Sequence, residues 1–197
     1  MTRLVPLRVD PALDLFIERI VDLPPKAIWD AWTKPAQLVK WFTPKPWTTV
    51  SCKIDLRPGG GFSSVMRSPE GVEYPNEGSY LEVVPHRRLV WTNAVAPGFR
   101  PAAPIDAAAA GAFRMTAVLT LTAHGKGTTY HALVRHATVE DVKKHEAMQF
   151  HAGWNAALDQ LVAMVKARRA KKVSARKPVR PKGATRAKAK KRPRSPR

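Results

Sequence analysis

The sequence predicts an α+β fold in which an antiparallel sheet packs against two short helices and one long C-terminal helix. Three observations carry this expectation. Seven segments alternate apolar and polar residues and are parted by turns rich in Gly and Pro. Two short stretches near the start, the first led by Pro24-Pro25 and the second following Pro35, read as helices. Residues 139–165 contain no proline and one glycine, and set Val142, Phe150, Trp154, Leu158, Leu161 and Val165 at helical spacing.

The elements follow in order. Residues 14–21 (DLFIERIV) alternate as a first strand, which Leu23-Pro24-Pro25 stops. Residues 26–32 and 36–42 are the two short helices, and Thr43-Pro44-Lys45-Pro46 is a loop. A meander of strands comes next, over residues 48–56, 61–67, 72–84 and 89–94. Its turns are Arg57-Pro58-Gly59-Gly60, Ser68-Pro69-Glu70-Gly71 and Pro85-His86-Arg87-Arg88. Residues 95–112, rich in Ala, Pro and Gly, read as a loop and a lid over a pocket. Residues 113–123 and 128–135 form a last pair of strands, turned by His124-Gly125-Lys126-Gly127. Thr138 caps the final helix, and Glu140 and Asp141 suit the positive end of its dipole. Early and late helices alike must cover the same sheet.

Charge is unevenly distributed. The 197 residues hold 34 Lys and Arg against 15 Asp and Glu. Sixteen of the basic residues lie in residues 166–197, which have no acidic residue, so the rest of the chain is nearly neutral. The basic character therefore belongs to a tail, and a nucleic-acid-binding fold does not follow from it. Cys52 is the only cysteine, which removes an intrachain disulfide and favours a reducing compartment. The N-terminus lacks the apolar run of a signal peptide, and no stretch reaches transmembrane length, so a soluble cytoplasmic protein is expected.

Four stretches together resemble a known family: Ile28-Trp29-Asp30-Ala31-Trp32-Thr33 with Trp41-Phe42; Asp55-Leu56-Arg57-Pro58-Gly59-Gly60; residues 77–85 (EGSYLEVVP) running to Leu89-Val90-Trp91; and His145-Glu146-Ala147-Met148 with Gly153-Trp154. Their order and spacing, across roughly residues 14–165, are similar to the activators of heat shock protein 90 ATPase (Aha-type C-terminal domain) of the START-like, SRPBCC superfamily. The resemblance implies a helix-grip (START-like, Bet v-like) fold: a curved antiparallel sheet gripping the C-terminal helix, with a cavity between. It divides the chain into an N-terminal extension (1–13), the START-like domain (14–169) and a disordered basic tail (170–197). In the eukaryotic co-chaperone a separate N-terminal domain precedes this one; only about 13 residues precede the first strand here, so that domain is expected to be absent.

Such a cavity would be lined by aromatic and flexible apolar side chains. The candidates are Trp29, Trp32 and Trp41 from the early helices, and Phe62, Met66, Tyr80, Trp91, Phe113 and Met115 from the strands. Phe150, Trp154 and Leu158 come from the final helix. Phe42, Trp47 and Met148 belong to the same wider set. Against this stands the plain reading that each aromatic fills the core. Polar strand residues Glu82, Arg67, Arg114, Tyr130 and His131 would decide between binding and catalysis, with a His131–Glu82 pair as the feature an enzyme needs. No nucleophile–base pair is visible, so no catalytic residue is assigned. His145 and His151 are six apart and face different ways on one helix, and His131 and His136 share no spacing with them, so neither a metal site nor a cofactor is expected. Gly59-Gly60-Gly61 lacks the Lys-Ser or Lys-Thr of a phosphate loop and reads as a turn or a sheet-bending bulge.

The tail has too little apolar surface to offset its ordering entropy. Lys171, Lys172, Arg176, Lys177, Lys190, Lys191 and Arg192 make it a candidate for non-specific, salt-sensitive contact with nucleic acid or another polyanion, or a solubilising appendage. The leading expectation is therefore a binding domain for a small apolar or amphipathic ligand. The alternatives are a co-chaperone-like module with a protein partner and a polyketide-cyclase-like enzyme.

Overall fold

In the computed structural model, which describes residues 4, 7–105 and 112–175, the chain begins with the edge strand β1 (Asp14–Val21). Pro25 then opens α1 (Pro25–Thr33) and Pro35 opens α2 (Pro35–Leu38), at first-turn positions where a missing N–H costs nothing. α2 is shorter than the helix expected to reach Phe42; after Leu38 the chain continues in turns. The meander follows as β2 (Thr48–Ile54), β3 (Gly61–Arg67), β4 (Glu73–Val84) and β5 (Arg88–Thr92). Residues 95–112 are not all irregular: β6 (Val95–Ala96) and β7 (Arg100–Pro101) pair as a small separate hairpin, and residues 106–111 lie outside the described residues. β8 (Met115–His124) and β9 (Gly127–His136) form the last hairpin.

The seven long strands make one antiparallel sheet in the order β1-β9-β8-β5-β4-β3-β2, so the first strand closes onto the last. Gly59, at φ 75°, and Gly60 turn β2 into β3, as expected of that glycine run. A Cβ on Gly60 would fall 2.1 Å from the Asp55 carbonyl oxygen, so the turn admits no side chain there. Its backbone is stitched to β4, with Gly59 N–H donating to Tyr80 O (2.7 Å) and Tyr80 N–H to Gly60 O (2.9 Å).

The expected single helix over 139–165 is two helices. α3 (Val139–Ala147) is capped as foreseen, Thr138 Oγ1 accepting from Asp141 N–H at 3.1 Å. It ends at Met148, and Gln149 adopts φ 62° before α4 (Phe150–Ala175) sets off in a new direction. The break lets each half keep its own buried side: α3 lays Val142 towards β9, while α4 buries Phe150, Leu158, Leu161 and Val165 against the sheet and α1. Arg19 on β1 fastens α4 across the sheet, donating to Asn155 Oδ1 (3.2 Å) and Asp159 Oδ1 (2.8 Å). The domain boundary expected at residue 169 falls inside α4; residues 176–197 lie outside the described residues.

The main core lies between the inner face of the sheet and the helices, and includes Ile28, Trp32, Leu38, Leu119 and Leu161. Val90, Val118 and Leu133 form a second small cluster. All five residues of β5 are buried. No helix among the described residues is long and apolar enough to cross a membrane.

Candidate functional site

The core does not close completely. Between β3, β5, the α2–β2 loop and the α3–α4 turn lies an open-sided cleft of about 300 Å³. Strand alternation supplies part of its lining, since Phe62 and Met66 fall on one face of β3 and Trp91 faces the same side from β5. Phe62 sits opposite Gly78 on β4, a position the Thr92 backbone restricts to glycine. A Cβ there would lie 2.3 Å from Thr92 O. Trp32 is the hub of the aromatic set, its ring 4.8 Å from Trp41, 5.1 Å from Trp91 and 5.9 Å from Phe42. Such offset and edge-on contacts suit aromatic quadrupoles and make a stiff wall. Phe150, Trp154 and Ala157 of α4 form the opposite side, with Met148 exposed among the lining residues.

Polar groups around the cleft are mostly engaged elsewhere. Trp41 Nε1 donates to Ala31 O (3.2 Å), and Trp154 Nε1 donates to the hydroxyl of Tyr130 (2.9 Å). Tyr130 is fully buried, and burial pushes its phenol far above the usual range, so it stays neutral. Trp32 Nε1 leans towards the same hydroxyl without closing a well-formed hydrogen bond. Gln160 of α4 donates to Trp41 O and Thr43 O (3.0 and 2.9 Å) and accepts from Lys45 N–H (3.1 Å), which ties the loop beside the cleft to the helix.

Among the described residues one titratable side chain lines the cleft. His145, near the end of α3, meets His136 at the end of β9, Nδ1 to Nε2 at 2.9 Å. His136 Nδ1 is 3.1 Å from Leu13 O, and the His136 backbone N–H donates to that same oxygen. The His145 ring rests between Phe113 (4.8 Å) and Phe150 (4.9 Å). Burial, and then the neighbouring His136, lower the His145 imidazole from its ordinary 6.5 to about 4.

Seven of the twelve expected lining residues meet at the cleft: Trp32, Trp41, Phe62, Met66, Trp91, Phe150 and Trp154. The other five do not line it. Trp29 turns towards His86 (ring centroids 5.9 Å apart), Tyr80 and Leu158 are sealed in the core, and Met115 packs against that core. Phe113 lies behind the ring of His145. Sequence reading missed Pro44, Asn76, His145, Gln149, Gly153 and Ala157. Helical spacing gives no signal for His145, because its partner His136 sits at the end of a strand.

The acid–base pair is not assembled. His131 lies beside the exposed Phe16 (6.0 Å), away from the cleft, and Glu82 lies 3.9 Å from Arg88. Arg67 pairs with Glu73 at the surface, and Arg114 donates to the carbonyls of Asn93 and Ala103. No described residue of 95–112 lines the cleft; Gly98 N–H instead donates to Gly59 O (2.8 Å), which holds the small hairpin over the glycine turn. Among the described residues no three His, Cys, Asp or Glu side chains gather as metal ligands. Of the basic tail set, Lys171 is exposed on α4, the side chain of Lys172 is not described, and Arg176, Lys177, Lys190, Lys191 and Arg192 lie outside the described residues.

Comparison with known proteins adds the following. The family model described as "Activator of Hsp90 ATPase homolog 1-like protein" matches residues 22–166. A solved structure of a protein from Nitrosomonas europaea is 42% identical, with a TM-score of 0.76 over 82% of this chain and 99% of that one. A Rhodobacter sphaeroides protein is 23% identical, with a TM-score of 0.68 over 81% of this chain and 97% of that one. An AHSA1-like protein from Aeromonas hydrophila is 22% identical, with a TM-score of 0.59 over 79% and 93%. At these lower identities the likeness is one of fold. No curated protein matches.

Proposed function

The chain belongs to the family of Activator of Hsp90 ATPase homolog 1-like proteins, and from that premise we propose that it binds a small apolar or amphipathic molecule in the cleft between its sheet and the α3–α4 turn. The observation that carries this reading is the cleft itself, about 300 Å³ walled by Trp32, Trp41, Phe62, Trp91 and Trp154. Its size and aromatic lining are those of small-ligand sites. Binding without chemistry is the favoured form, because His131 and Glu82 stand apart and the cleft's one imidazole has only a second imidazole behind it. The lone, half-buried Cys52 fits a reducing, cytoplasmic setting. The tail, from Lys171 and Lys172 onward, adds non-specific polyanion contact.

Native mass spectrometry of the full chain tests the reading. A small molecule retained by the folded protein and lost on denaturation is the expected result. If none is retained, and no compound of an apolar panel raises the melting temperature, the ligand-binding reading fails. A protein-binding role has one observation in its favour: Phe16 and Ile20, 46% and 65% exposed, stand on the edge strand β1, where a partner could dock or add a strand.

A further inference from the structure

The chain of hydrogen bonds behind the cleft dictates which nitrogen of His145 carries its proton. Leu13 O is a carbonyl and only accepts, so His136 must donate to it from Nδ1. A neutral His136 then has an unprotonated Nε2, which accepts. His145 must therefore donate from Nδ1 across the 2.9 Å contact. The remaining nitrogen of His145, Nε2, keeps its lone pair. His145 lines the cleft, and its ring is clamped between Phe113 and Phe150, so its orientation is set by packing as well as by the hydrogen bond. Among the other polar side chains in the lining, Asn76 and Gln149 are exposed, Trp41 and Trp154 donate their N–H groups inside the protein, and Trp32 Nε1 is buried and turned towards the Tyr130 hydroxyl.

We propose that His145 offers its Nε2 lone pair to the cleft as a hydrogen-bond acceptor, so that the site selects neutral ligands with an apolar body and one O–H or N–H donor. Carboxylates are disfavoured, because an acceptor facing an anion repels it and His145 carries no charge at neutral pH. The inference rests on the ligand-binding reading above and specifies the polar end of the ligand.

Two measurements on the full chain test it. Long-range proton–nitrogen NMR of the imidazoles reads the tautomer without any ligand. His145 is expected in the Nδ1–H form, the minor one for free histidine in water, and an Nε2–H form would overturn the proposal. The second is a titration with 4-propylphenol, 4-propylanisole and 4-propylbenzoate, followed through the indole N–H signals. The phenol is expected to bind roughly five- to tenfold more tightly than the anisole, since only it can donate to Nε2, with the benzoate weakest. In His145→Phe the phenol–anisole difference should collapse while the anisole still binds. Equal binding of phenol and anisole, or tightest binding of benzoate, would overturn the role of His145 and leave the cleft reading standing. If none of the three moves the indole signals, the ligand-binding reading fails and the proposal falls with it.

Discussion

His145 ties the stability of the protein to pH. Its imidazole takes a proton near 6.5 when exposed and near 4 when folded, so between those values the unfolded chain binds more protons. Stability is therefore full above about pH 6.5, falls as pH drops through the window, and stops changing from this source below about 4. Allowing for partial exposure of the ring, the loss is about 2 kcal/mol. Urea unfolding at pH 7 and pH 4 should show it, and His145→Phe should remove that part of the difference. At this scale the sequence told the residue types of the site but not their assignment. Trp32 and Trp29 lie on the same buried side of α1, yet only Trp32 reaches the cleft, because the neighbouring turn places His86 against Trp29. Periodicity reports which side of a helix is buried, and is silent on what it is buried against.

Among the elements, the break between α3 and α4 is the feature that local sequence conceals. Glu146, Ala147, Met148 and Gln149 are all good helix formers, and nothing in them signals a stop. The bend is imposed by packing, with Val142 and Phe150 drawn to different surfaces, and Gln149 takes up the left-handed conformation at φ 62°. That conformation favours glycine. Gln149→Gly is thus expected to stabilise the protein by about 0.5–1 kcal/mol, the relief of backbone strain less the added freedom of the unfolded chain. Gln149→Val should destabilise it. A shift of the urea midpoint at constant slope checks both. Elements bounded by proline or by turn glycines were legible to within a few residues, as the starts of α1 and β3 show, since there the chemistry of the boundary is local.

For the whole molecule, the excess positive charge sits beyond Val165, the last residue of α4 buried among those described, so polyanion contact and ligand binding should separate cleanly. Binding of the full chain to duplex DNA should weaken steeply and linearly in log–log form as salt rises, while a chain ending at Ala175 should lose most of that affinity. Filter binding across a salt series measures both. The neighbours in the sheet were not readable from composition or alternation: nothing local marks β1 as the partner of β9. The family resemblance implied a curved antiparallel sheet gripping the last helix, but not the order of its strands, because long-range pairing leaves no mark in any one segment.

That pairing has a consequence for how the protein is made. Residues 14–21 are synthesised before the other strands of the sheet, yet their sheet partner spans residues 128–135. The hairpins from β2 to β5 join close neighbours in sequence and are free to assemble during synthesis, whereas β1 must wait until more than a hundred further residues have been added. Until then the outward Phe16 and Ile20 and the inward Leu15 and Ile17 belong to a strand without a neighbour. The strand of this sheet made earliest thus has no place in it until β9 is made, and its apolar residues stay without a neighbour until then.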